Sequence, residues 1–158
     1  MTAQVSEKLI YKKESLSLCS NPLSPYLINN SFEFQSSSTA CWRGYIGSWE
    51  IENDRLYLKK ISGHLKNGQD VTIETLFPGF SSGVFAHWYS GELRCPRGKL
   101  LKYVHGGYAS QYEEDIFILI KKGVVISERV VKNGQAEVGA PDGYGVAAFT
   151  SLPIEEKK

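Results

Sequence analysis

The sequence predicts a β-dominated, all-β single domain: antiparallel hairpins forming a twisted sheet curled into a barrel- or sandwich-like body, with little helix. Three observations lead there. Short runs rich in β-branched and aromatic residues alternate with turn residues along most of the chain. No stretch carries a helical apolar period with matching caps. At 158 residues, with 42 % hydrophobic and 22 % charged side chains, the composition is that of one globular domain over 1–158.

Taken in chain order, the first hairpin runs from Leu9 to Leu18 around Lys13-Glu14 and places Leu9, Tyr11, Leu16 and Leu18 on one face. Asn21 to Ser38 reads mostly as loop. Tyr45 to Ile61 is the clearest unit, because Asn53-Asp54 is a two-residue turn pair that tolerates positive backbone angles. Counting outward, Glu52 faces Arg55, Ile51 faces Leu56, Glu50 faces Tyr57, Trp49 faces Leu58 and Ser48 faces Lys59. Ile51, Trp49, Leu56 and Leu58 then share an apolar face, and Glu50, Ser48, Tyr57 and Lys59 a polar one.

A weaker hairpin spans His64 to Ile73 around Asn67-Gly68, and Thr75 to Gly83 reads as loop opening on a helical turn. Pro96-Arg97-Gly98 predicts another turn, with proline presetting the first angle and glycine in the left-handed position. It sets Leu93 opposite Leu101, Glu92 opposite Lys102, Gly91 opposite Tyr103 and Tyr89 opposite His105. A three-residue Lys121-Lys122-Gly123 loop pairs Ile120 with Val124, Ile118 with Ile126 and Asp115 with Arg129. Ile116 to Ile120, apolar on both sides, reads as a central strand. Beyond Asn133-Gly134 the chain is glycine-rich. Val146 to Leu152 reads as a short last strand and 155–158 as a frayed charged tail.

Gly47-Ser48-Trp49 resembles the glycine-x-tryptophan signature on the first strand of lipocalins and related ligand-binding barrels. The resemblance covers those two positions and implies a closed barrel around a small ligand. Here the motif follows a hairpin and a loop instead of lying near the amino terminus. A Trp opposite Leu58 is also what an ordinary core demands.

Eighteen basic and seventeen acidic side chains leave a net charge of +1, which lacks the broad positive field of general nucleic-acid binders. The longest apolar run is too short for a membrane span, and the first residues lack a signal-peptide core, so the chain reads as cytoplasmic with no membrane partner. Cys19, Cys41 and Cys95 are odd in number and widely spaced, as buried thiols are. A thiol nucleophile at Cys95 fails on the proline-turn register, which holds His105 about 20 Å away along the hairpin.

That register gathers His87, Tyr89, Tyr103 and His105 on one face, and these four are the expected ligand-binding residues. The bland alternative is an ordinary amphipathic sheet face. No catalytic residue, cofactor or metal is expected, since a metal would require a third ligand the patch does not supply. The leading expectation is a non-enzymatic protein offering an aromatic face to a small polar ligand or a protein partner. An enzyme with a His/Tyr acid–base patch and a homodimer completing its own sheet edge are the competing readings.

Overall fold

The computed structural model describes residues 4–36, 38, 40–104, 106–136, 138 and 139. The expected strand at Val146 to Leu152 and the charged tail lie outside them. The elements are β1 (Glu7–Tyr11), β2 (Glu14–Leu18), α1 (Ser24–Asn30), β3 (Tyr45–Glu52), β4 (Arg55–Gly63), α2 (Ile73–Leu76), β5 (Val84–Phe85), β6 (Gly91–Lys102), β7 (Gln111–Lys121) and β8 (Val124–Lys132). They form one eight-stranded sheet in the order β2-β1-β3-β4-β8-β7-β6, with β5 on β4. The sheet is β-dominated and mostly antiparallel as expected, but one pair of strands is parallel and the sheet is not closed into a barrel, which corrects the barrel-like expectation and the barrel implied by the lipocalin resemblance. β1 lies parallel to β3, with Leu9 beside Trp49. A parallel neighbour needs a crossover, and the chain between β2 and β3 supplies it.

The β3–β4 hairpin has the register its turn predicts from Glu52↔Arg55 to Trp49↔Leu58. Asn53 and Asp54 both take positive φ, at 50° and 61°. A bulge between Ser48 and Trp49 then shifts the pairing, so Ser48 faces Lys60 and not Lys59. Trp49, Leu56 and Leu58 are buried, and Ile51 packs at the margin of the same core. The first hairpin buries Leu9, Tyr11, Leu16 and Leu18 on one face as expected. Its turn is Lys12-Lys13, one residue earlier, with Tyr11 opposite Glu14.

Three further readings are corrected. The segment read as loop after Asn21 contains α1, a short helix with proline in its first turn, whose Tyr26 and Leu27 pack on the core. The hairpin around Asn67-Gly68 reduces to a single His64↔Asp70 bridge. At Lys122-Gly123 the turn has two residues, with Lys121 opposite Val124, and a bulge between Leu119 and Ile120 then shifts the register, so the expected pairs Ile120–Val124, Ile118–Ile126 and Asp115–Arg129 give way to Ile120↔Val125, Ile118↔Glu128 and Asp115↔Val131. The helical turn before Pro78 is α2, capped reciprocally by Thr72 and Thr75. β7 is central, between β6 and β8.

Candidate functional site

The turn expected at Pro96-Arg97-Gly98 is absent: β6 runs straight through it, pairing Cys95 with Ile116, Pro96 with Asp115 and Arg97 with Glu114. Proline is tolerated because of backbone phase. The Arg94 N–H donates to Ser20 Oγ and its carbonyl accepts from the Cys19 N–H, so Arg94 turns away from β7. Pro96, two residues on, shares that phase and would have no N–H to give the ladder. Gly98, at φ 88°, opens a bulge between Arg97 and Leu100. Residues that signal a turn in isolation therefore mark an irregular strand here.

The geometric basis for the His/Tyr quartet goes with that turn. Tyr89 lies before β6 and Tyr103 after it, at opposite ends of a twelve-residue strand. His87 is exposed in the turn after β5, and Tyr89 is half-buried against the core, where burial first, with Glu92 adding, raises its phenol above the ordinary value. Tyr103 packs with Leu100, Tyr112 and Cys19 in a second small cluster. His105 lies outside the described residues. An open groove of about 440 Å³ lined by Gly98, Glu113, Glu114, Lys132, Gly134 and Gln135 contains none of the four.

His87 belongs instead to a run of aromatic rings that no single hairpin could reveal. Tyr26 of α1 stacks on Phe77 at 4.2 Å between centroids, Phe77 on Trp88 at 5.2 Å, and His87 meets Trp88 edge-on at 5.6 Å. The run continues through Phe85, 6.4 Å from His87, to Tyr57 of β4 at 5.8 Å from Phe85. One end is anchored: Tyr26 Oη donates to the Leu76 carbonyl and Trp88 Nε1 to the Pro22 carbonyl. The other carries cations, with Arg55 over Phe85 and Lys59 over Tyr57. Phe80, half exposed, follows Phe77 in a turn closed by the Phe80 N–H on the Phe77 carbonyl.

Beneath the sheet, Glu7 is a fully buried carboxylate. Gly47 N and Trp49 Nε1 each donate to it at 2.8 Å, Arg43 Nε donates at 3.0 Å, and Arg43 Nη1 also holds the Val5 carbonyl. Burial pushes its carboxyl above the ordinary value, opposed by Arg43 and these donors. The glycine-x-tryptophan motif thus has a structural explanation. A Cβ on Gly47 would sit 2.7 Å from Trp49 Nε1 and 2.8 Å from Glu7 Oε1. Sequence reading missed Glu7 because its partners are about 40 residues away.

The turn that set Cys95 apart from His105 is absent, so burial, not register, argues against a thiol nucleophile. Cys19, Cys41 and Cys95 are free and buried, and burial pushes Cys95 up to about 12 and raises Cys19 as well. Among the described residues no three His, Cys, Asp or Glu side chains are gathered to hold a metal, and no helix is long and apolar enough to cross a membrane. Comparison with known proteins finds no matching family model, curated protein or solved structure.

Proposed function

We propose that this chain is a non-enzymatic cytoplasmic binding module that receives a protein partner on the surface formed by Tyr57, Phe85, His87, Trp88 and Phe80. The observation that supports it is the continuous aromatic run, fixed at its Tyr26/Trp88 end by part-buried hydrogen bonds, with His87 exposed partway along it. Aromatic rings prepaid in conformational entropy, with cations at the margin, are the residue types that concentrate binding energy at protein interfaces. The arrangement is a surface strip, which favours a protein segment over a small enclosed ligand. Arg55 beside the half-buried Phe85, and Lys59, itself paired with Glu52, beside Tyr57, suit a partner with acidic groups next to apolar ones.

The test is site-specific photo-crosslinking in cells, with the reactive residue placed at His87, Phe80 and, as control, the exposed Lys66. The expected result is one discrete product at His87 and Phe80, absent at Lys66 and lost when Phe85→Ser is added to a chain that still folds. The same products at all three positions would overturn the reading.

A further inference from the structure

The outer edge of β8 is the other surface that the fold leaves open. β8 pairs with β7 along its length but meets β4 only at Arg55↔Val124, with the Val125 N–H donating to the Asp54 carbonyl. From Ile126 onward no strand lies beside that edge among the described residues. Its backbone phase follows from one bond, the Asn133 N–H donating to the Glu113 carbonyl of β7 at 2.8 Å. Residues of an antiparallel strand alternate in the direction their N–H and C=O groups point. Val131 and Arg129 therefore face β7, while Glu128, Val130 and Lys132 turn both groups outward. Ile126 and Val130 are 56 % and 44 % exposed. Such an edge is a template for another strand.

We propose that a second copy of this chain fills it, β8 against β8 in antiparallel pairing, with Val130 on the two-fold axis. Charge complementarity favours a second copy as the occupant and a centre on Val130 over one on Glu128 or Arg129. A two-fold axis normal to the sheet sets residues of equal phase and equal face opposite one another. Centred on Glu128, it opposes two carboxylates; centred on Arg129, two guanidiniums, and like charges directly opposite destabilise a pair. Centred on Val130, it sets Val130 against its twin and Glu128 against Lys132 of the second copy, twice over by symmetry. All outward backbone groups of these three residues then pair. Existing contacts offer little resistance. Tyr11 and Lys12 both donate to Glu128 Oε1 and not to the oxygen through which Lys132 of the copy would pair, and in the Lys132–Glu114 pair the lysine is mostly exposed. The joined segment is short, so the dimer belongs to the small, reversible class of interfaces, below about 1,200 Å².

The test uses the full chain in sedimentation equilibrium up to several hundred micromolar, with Glu128→Lys and Lys132→Glu made singly and together. The parent forms dimers. Each single reversal weakens association at least tenfold, because like charges then meet twice. Mixing the two single variants restores a one-to-one dimer, and the double variant dimerises like the parent. A parent that stays monomeric, single variants that dimerise normally, or a mixture that fails to associate would each overturn the proposal. Amide exchange of the parent gives an independent reading that no variant's folding can confuse: protection rising with concentration at Glu128, Val130 and Lys132 but not at Arg129 and Val131. Protection at those three that does not depend on concentration would also overturn it.

Discussion

The β3–β4 hairpin and the β6–β7–β8 meander use similar residues and are built on different rules. The hairpin departs from regular pairing once, at Ser48/Trp49, and its irregularity sits over a buried carboxylate. The meander shifts register between Arg97 and Leu100, again between Leu100 and Lys102, and again between Leu119 and Ile120. Each half also carries a shielded ion pair, in different surroundings. Glu7–Arg43 lies where β1 meets β3, whereas Arg94–Asp115 lies under the loop before β7, with the Arg94 guanidinium donating also to the Tyr108 and Ser110 carbonyls. The contrast teaches that a glycine beside polar residues marks a turn only where the flanking strands need to reverse. Where the neighbour is supplied by distant sequence, the same residues make a bulge.

The largest expected effect tests the hairpin half. Trp49→Ala should lower unfolding free energy by about 3–5 kcal/mol, since it empties a buried indole site and strips a donor from Glu7. Urea denaturation with an unchanged slope measures it, and a midpoint at the parent's value would mean that Trp49 is not a core residue.

A smaller effect tests the meander. Gly98→Ala forces a left-handed residue to carry a Cβ that would lie 2.8 Å from Glu113 Oε1 and 3.0 Å from its Cβ, and it should cost about 1–2 kcal/mol. Were Gly98 part of an exposed turn with room around it, the cost would fall toward the lower end and Pro96→Ala would alter strand pairing. Amide exchange across Cys95–Ile116 distinguishes the two, because that pair exists only if β6 is continuous.

The smallest effect concerns a contact that joins the halves. Tyr11 Oη donates to Glu128 at 2.6 Å, and this bond, followed by Lys12, holds the Glu128 carboxyl below its ordinary value. A lowered carboxyl adds stability above the ordinary range and loses it as pH falls through the lowered value. Glu7, raised by burial, runs the other way and favours the folded state more at low pH. Tyr11→Phe should therefore move the Glu128 titration, followed by carboxyl-carbon resonance, upward toward the ordinary range. An unchanged titration would show that the hydroxyl does not set it.

Sequence alone determined what short-range chemistry controls: the β-dominated class, the Asn53-Asp54 turn with its first four pairs, the apolar face of Leu9, Tyr11, Leu16 and Leu18, and the central place of Ile116 to Ile120. Two-residue turns with positive φ and a strict period of two leave few alternatives there. Tertiary structure decided where each element's neighbour comes from. It ran β6 through Pro96 because Cys19 and Ser20, far earlier in the chain, take the outward side of Arg94. It split Tyr89 from Tyr103, and it drew His87 into a ring series supplied by α1, α2, β5 and β4. Turn residues constrain φ and ψ over three or four positions, while the choice between reversing and bulging depends on hydrogen-bond partners tens of residues away.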